Sequence, residues 1–176
     1  MKNIQEIDNS IVFPTNEYEG ANFINTEPYY KWLASYVKEC KPKRLLELGR
    51  RWGNSLYAMS FFLPDESILD SYDIDSKGYV INKPNVNIYT YDGDYTKIDY
   101  SLYDFIFIDI NGSGTIEYEI YNLISKCNFN GVVAWDDVGT VYCPDENFWD
   151  KITTEKIKLS LHGPFNFGVT FHKKGA

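Results

Sequence analysis

The sequence is poor in the residues that usually carry metal, redox or nucleic-acid chemistry. It has two histidines and three cysteines, and its 25 acidic residues outnumber its 17 lysines and arginines. The resulting net charge of −8 argues against a nucleic-acid partner, because phosphate binding rests on lysine and arginine. The cysteines Cys40, Cys127 and Cys143 are too few and too widely spaced for a disulfide framework, which favours a reducing compartment.

Long apolar runs are also missing. No run approaches the ~20 residues that cross a bilayer, and residues 1–10 are too polar and acidic for a signal peptide. We therefore expect a cytoplasmic protein without a membrane partner. Aromatic residues are abundant instead, at 17% of the chain, and 176 residues are enough for one domain with a sizeable core.

The segment most informative about function is residues 44–55, Arg-Leu-Leu-Glu-Leu-Gly-Arg-Arg-Trp-Gly-Asn-Ser. Its apolar start predicts a buried strand, its two glycines a tight loop, and the apolar residues that follow have helical spacing. A strand, a glycine loop and a helix start form an anion-binding turn in doubly wound sheets. A dinucleotide motif is disfavoured because Arg51 replaces its middle glycine, and a P-loop because Asn54 replaces its lysine.

What remains, Glu-x-Gly-x-x-x-Gly-x-Ser, resembles motif I of the class I S-adenosylmethionine-dependent methyltransferases. The resemblance extends over residues 27–173. It implies a Rossmann-like α/β fold, with a doubly wound, mostly parallel sheet and a C-terminal antiparallel hairpin, which residues 156–172 match. It also implies S-adenosylmethionine as cofactor, bound through Glu47, Gly49, Gly53 and Ser55. A side chain at Gly49 is expected to enter the space of the cofactor.

The same resemblance divides the chain into two parts. Residues 26–176 are expected to form the methyltransferase domain, and residues 1–25 an N-terminal arm. The arm has two interpretations that the sequence leaves open: a lid at residues 18–22 over the cofactor, or a loosely docked tail.

Two further acidic positions match the cofactor pattern. Asp73 lies about 20 residues beyond Gly53, the spacing at which Rossmann-type sites place an acid for ribose hydroxyls, with Asp75 as second choice. After the third predicted strand, Asp94 and Tyr95 match the family's positions for the adenine amino group and ring. A plain Asp-Gly turn is the competing interpretation of this stretch.

A third set of acids marks the candidate chemical site. Asp109, Asp136 and Asp137 follow two strands that should be neighbours, and they resemble the metal-binding set of catechol-type O-methyltransferases and of small bacterial O-methyltransferases. Three oxygen ligands suit Mg²⁺ or Ca²⁺, which would activate an acceptor hydroxyl. The alternative is that Asp109 and Asp136 bind loop N–H groups or substrate, with Asp136 or Asp137 as base.

The chain lacks the usual general base of these families, since Asn111 and Gly112 stand where they have histidine or lysine. His162, at the tip of the predicted hairpin, is a candidate to reach the cleft, and a surface histidine is the competing interpretation. The resemblance implies methyl transfer to a hydroxyl of a small molecule, such as a sugar derivative or a phenol. The missing base motivates a second hypothesis, a catalytically inactive protein of this fold that binds or regulates. A homo-oligomer stays open.

Overall fold

Strands and helices alternate along most of the chain. The computed structural model describes residues 6–74, 81, 83–110, 114–138, 147–162 and 165–173, and only the backbone of residues 147, 160–162 and 165. The strands in these residues are β1 (Arg44–Leu48), β2 (Ile68–Asp73), β3 (Asn87–Asp92), β4 (Phe105–Ile108), β5 (Gly131–Trp135), β6 (Lys156–His162) and β7 (Phe165–His172). The helices are α1 (Ala21–Thr26), α2 (Pro28–Cys40), α3 (Asn54–Ser60), α4 (Thr115–Lys126) and α5 (Asn147–Lys151).

All seven strands join in one sheet, in the order β3-β2-β1-β4-β5-β7-β6. Strands β1 to β5 pair in parallel, and β7 pairs antiparallel with β5 and β6. The predicted doubly wound, mostly parallel sheet with a C-terminal antiparallel hairpin is thus confirmed. The strand order reverses direction between β1 and β4, and open α/β sheets bind ligands at such a point.

Side chains of the central strands alternate between two hydrophobic clusters, as the two-residue period of a strand requires. On one face, Leu45 and Phe107 pack with Trp32 of α2 and Met59 of α3. On the other face, the neighbouring strand residues pack against α4 and α5, and all are fully or almost fully buried. The parallel strands are therefore covered on both faces, which explains their continuous apolar runs.

The N-terminal arm packs against the helices through a third cluster. Ile11, Phe13, Tyr18 and Ile24 are buried there against α2 and α3. Burial of these four large side chains stabilises the arm against the two helices. Whether residues 18–22 act as a lid stays a prediction. Within the part of the chain that the structure describes, none of the helices has the length and hydrophobicity of a membrane span.

A buried polar cluster joins the amino-terminal half of the sheet. Asp70, in the middle of β2, is 1% exposed and accepts two hydrogen bonds from the Arg44 guanidinium, at 2.9 and 3.1 Å. Tyr103 and Tyr91 donate their hydroxyls to the same carboxylate, at 2.9 and 3.3 Å. A buried charge needs such partners, so this cluster compensates Asp70 inside the sheet.

Candidate active site

The glycine loop follows β1 and leads into α3 as predicted. Gly49 has a φ of +89° and Gly53 a φ of +83°, a region that side chains rarely adopt. A Cβ atom on Gly49 would lie 1.8 Å from the main-chain oxygen of Asp109. A side chain at position 49 would therefore clash with the backbone of Asp109, whether or not it also enters the space of the cofactor. The ends of β1 and β4 touch here, at the reversal point of the sheet.

Asp73 lies at the end of β2, beside this loop. Its Oδ2 accepts the main-chain N–H groups of Arg50 and Arg51, at 2.8 and 2.7 Å. Gly53 donates its N–H to the carbonyl oxygen of Arg50 at 2.8 Å and closes the turn. Asp73 thus has a loop-stabilising contact that the sequence did not reveal, and its ribose contact stays a prediction. Asp75 lies outside the described residues.

Glu47 and Ser55 were predicted as cofactor ligands, and the structure buries both. Ser55 Oγ donates to one carboxylate oxygen of Glu47 at 2.6 Å, and Ser71 Oγ donates to the other at 2.5 Å. Burial raises the pKa of Glu47 to about 7, although both hydroxyls lower it. These contacts join β1, β2 and α3 beneath the loop. Direct cofactor contacts of Glu47 and Ser55 remain predictions.

Asp94 and Tyr95 lie just beyond β3, at the same edge of the sheet. Asp94 is exposed, and its side chain accepts the N–H and hydroxyl of Thr96, which caps a short 3₁₀ turn. Tyr95 donates its hydroxyl to Glu119 of α4 at 2.8 Å. Ile74, immediately after Asp73, is 96% exposed. It was not among the predicted residues, although its apolar side chain borders the candidate adenine site.

The structure brings the acids of the chemical site together. Asp109 donates its N–H to Leu48 and Asp136 donates its N–H to Ile108, both at 2.8 Å, so each extends a parallel ladder by one residue. The two residues are half-buried, and their carboxyl groups interact with each other. Burial raises the pKa of Asp109 to about 6. Burial and the charge of Asp109 raise the pKa of Asp136, and the charge of Asp137 adds to both shifts. Two carboxyl groups this close disfavour ionisation of each other.

Tyr29 is the residue of this site that the sequence did not reveal. It belongs to α2, is 9% exposed, and its helical spacing indicated only a core residue. Its hydroxyl lies 3.3 Å from Asp109 Oδ2 and 3.4 Å from Asp136 Oδ2. The hydroxyl therefore contacts both carboxyl groups, which no periodicity along the chain could show.

The three aspartates fit a cation in part. Asp136 Oδ1 is buried without a hydrogen-bond partner, which suits a proton or a cation. Within the described ranges, however, no group of three or more His, Cys, Asp or Glu side chains is arranged to hold a metal ion. Mg²⁺ often takes only one or two protein carboxylates. The pair Asp109 and Asp136 meets that requirement, and metal binding stays a prediction.

The N-terminal arm reaches the glycine loop through Tyr18. Its hydroxyl lies 2.9 Å from the carbonyl oxygen of Trp52 and 2.7 Å from Asn54 Oδ1, and its ring stacks on Tyr57. Trp52 itself is 58% exposed at the tip of the loop. The arm therefore borders the predicted cofactor site. Of the remaining predicted positions, the loop at 111–113 and the side chain of His162 lie outside the described residues.

The chain is similar in sequence to caffeoyl-CoA O-methyltransferase of Stellaria longipes, with 27% identity over 87% of this chain and 77% of that protein. No family model matches the chain. Its fold resembles the S-adenosylhomocysteine-bound methyltransferase PaMTH1 of Podospora anserina, with a TM-score of 0.62, 16% identity and coverage of 90% of this chain and 84% of the other.

Two further solved structures share the fold. One is the O-methyltransferase TomG of Streptomyces achromogenes, involved in tomaymycin synthesis and bound to S-adenosylmethionine, with a TM-score of 0.59 and 18% identity over 83% of this chain and 80% of TomG. The other is an S-adenosylhomocysteine-bound O-methyltransferase of Bacillus cereus, with a TM-score of 0.59 and 16% identity over 82% and 80%. Taken with the glycine loop and the strand order, these similarities show that the chain shares its fold with these S-adenosylmethionine- and S-adenosylhomocysteine-bound methyltransferases.

Proposed function

We propose that the protein transfers the methyl group of S-adenosylmethionine to a hydroxyl group of a small molecule, at the carboxyl ends of β4 and β5. The observation that carries the proposal is the pair of Asp109 and Asp136, which both contact the Tyr29 hydroxyl, with Asp109 directly beside the glycine loop. The sequence similarity to a caffeoyl-CoA O-methyltransferase supports an acceptor hydroxyl. A phenol or a sugar derivative is the acceptor class we propose.

The cofactor lies, in this proposal, along the edge formed by β1, β2 and β3. The backbone of the loop from Gly49 to Gly53 approaches its methionine end, and Asp73 accepts hydrogen bonds from the ribose hydroxyls. The adenine ring packs between Ile74 and Tyr95, with Asp94 on the adenine amino group. The 96% exposure of Ile74 supports this placement, because a flat apolar ring would cover it.

The carboxyl pair supplies the base in this mechanism. Methyl transfer from a sulfonium requires an acceptor oxygen held about 3–3.5 Å from the methyl carbon and the loss of its proton. A base works best when its pKa lies near the working pH, and burial raises the pKa of Asp109 to about 6. Tyr29 orients the pair through its contacts with both carboxyl groups.

A divalent cation is a second possible component of this site. Asp109 and Asp136 are the residues that would hold it, with Asp137 adding negative charge nearby. When bound, Mg²⁺ lowers the pKa of an acceptor hydroxyl and orients it. The proton transfer described above uses the chain's own carboxyl groups and does not depend on the cation.

The argument for a catalytically inactive protein no longer holds. It rested on the absence of a histidine or lysine after Asp109, whereas the paired carboxyl groups supply a base of suitable pKa. A cytoplasmic location and a homo-oligomeric state remain predictions.

The proposal is tested by incubating the protein with S-adenosylmethionine and a panel of catechols, simple phenols and sugar derivatives, while S-adenosylhomocysteine formation is measured. Parallel reactions contain EDTA or added Mg²⁺. Acceptor-dependent turnover that is lost in Asp136→Asn supports the proposal. Cofactor binding without turnover on any acceptor would return the inactive alternative, and failure to bind the cofactor would overturn the whole interpretation.

A further inference from the structure

Arg50 is a buried cation inside the glycine loop. Its side chain is only 4% exposed, and its Nη1 atom is shielded from water without a hydrogen-bond partner. Its backbone is held firmly, since the N–H binds Asp73 and the carbonyl oxygen accepts the N–H of Gly53. The loop conformation therefore fixes the backbone from which this side chain extends.

A guanidinium in this environment needs an anion. Arginine does not lose its charge in proteins, and a buried charge without a partner is strongly unfavourable. Among the described residues, the ion pairs of the protein involve Lys38, Arg44 and Lys97, and Arg50 takes part in none of them.

One internal anion that interacts with Arg50, Glu47, already receives other hydrogen bonds. Glu47 interacts electrostatically with Arg50, but its two carboxylate oxygens receive the hydroxyls of Ser55 and Ser71. Burial also raises the pKa of Glu47 to about 7, so near neutral pH it is protonated in part of the molecules. Glu47 therefore leaves the charge of Arg50 incompletely balanced.

We propose that Arg50 binds the carboxylate at the methionine end of the cofactor. This inference rests on the proposed function. The guanidinium lies in the loop that approaches that end, and an arginine fork binds a carboxylate through two parallel hydrogen bonds. Shielding from water strengthens such a pair, because the dielectric constant around it is low. Arg50 then completes a site in which the cofactor supplies the missing negative charge.

The test compares S-adenosylhomocysteine with S-adenosyl-3-thiopropylamine, the analogue that lacks only the carboxylate, by isothermal titration calorimetry. Wild type should bind S-adenosylhomocysteine more tightly. Arg50→Met should lower its affinity about 10- to 100-fold, the value of a charge-assisted hydrogen bond. The affinity of the analogue should stay within about twofold, as expected for an independent site. Arg50→Lys, which keeps the charge but loses the fork, should lie between wild type and Arg50→Met.

Arg51→Met is the matched control. This variant removes the same charge from the neighbouring residue, whose side chain is exposed. Both ligands should therefore keep their affinities to within about twofold. Retained binding of the analogue by Arg50→Met shows that the site is folded. An equal loss for both ligands, or no loss for either, would overturn the role of Arg50. A wild-type protein that binds neither ligand would instead refute the proposed function.

A carboxylate on the acceptor molecule could bind the Arg50 guanidinium in the same way as the carboxylate of the cofactor. Competition by 3,4-dihydroxybenzoate and by catechol distinguishes this source, because these probes differ only in the carboxylate. If Arg50→Met weakens 3,4-dihydroxybenzoate alone and leaves S-adenosylhomocysteine unchanged, the assignment to the cofactor is wrong.

Discussion

Replacing Gly49 by alanine tests the contact between the ends of β1 and β4. The new Cβ would lie 1.8 Å from the carbonyl oxygen of Asp109 and 2.6 Å from its carbonyl carbon. Neither neighbour can rotate away, because both are main-chain atoms at the end of a central strand. We therefore expect this substitution to destabilise the whole domain, with or without cofactor.

The magnitude has two parts. Holding a residue other than glycine at a φ of +89° costs about 1–2 kcal/mol, and overpacking a closed interior costs about 1–3 kcal/mol. The sum of about 2–5 kcal/mol is a large share of the ~5–15 kcal/mol that stabilises a typical domain. With a urea dependence of about 2 kcal/mol per molar, the unfolding midpoint should fall by about 1–2.5 M.

Urea unfolding followed by circular dichroism measures this change, without cofactor in the solution. Gly53→Ala is the control, because its φ of +83° gives it nearly the same conformational cost. The difference between the two variants isolates the clash with Asp109. Our account is refuted if Gly49→Ala unfolds within ~0.5 kcal/mol of wild type, the usual range for harmless surface changes.

Four other predictions concern the carboxyl groups. Asp136→Asn should lower kcat about 100-fold or more while S-adenosylhomocysteine affinity is unchanged in calorimetry, and a coupled loss of both would contradict separate sites. The value of kcat/KM should fall below pH about 6, because Asp109 becomes protonated there. Tyr29→Phe should move this decrease to higher pH, since the Tyr29 hydroxyl lowers the pKa of Asp109. A profile that stays flat to about pH 5 would exclude Asp109 as the base. Because the pKa of Asp109 in the folded state exceeds its ordinary value of 3.8, the folded state binds this proton more tightly than the unfolded state. The contribution of Asp109 to thermal stability should therefore decrease as the pH rises from about 4 to about 6. Asp109→Asn is the control, because this pH dependence should be absent in it. Asp70→Asn should lower the free energy of unfolding, measured with urea, by about 2–3 kcal/mol. This value is below the range for fully buried ion pairs, because a third of the Arg44 side chain is exposed. An unchanged urea midpoint would argue against a stabilising role of the Asp70 cluster.

The sheet could be predicted from the sequence because its signals are local. Apolar runs such as residues 105–108 predict the buried strands. An acid that comes directly after such a run in the sequence is thereby placed at the end of the strand. The strand order then brings Asp109 and Asp136 together without further information. The juxtaposition of these two carboxyl groups was therefore within reach of sequence reasoning.

What each polar group contacts could not be predicted in the same way. Asp73 binds loop N–H groups, Asp94 caps a turn and Glu47 accepts two serine hydroxyls, contacts that depend on the packed positions of other elements. Tyr29 has the spacing of a core residue, and only the angle of α2 against the sheet brings its hydroxyl to the acids. The burial of Arg50 likewise reverses the expectation for a charged loop residue.

The Tyr18 hydroxyl joins the N-terminal arm to the glycine loop, so we expect cofactor binding at the loop to affect the arm. Any rearrangement of Trp52 when the cofactor enters alters a bond to a segment more than thirty positions earlier in the chain. We expect amide protons of residues 18–26 to exchange more slowly in the loaded protein than in the empty one.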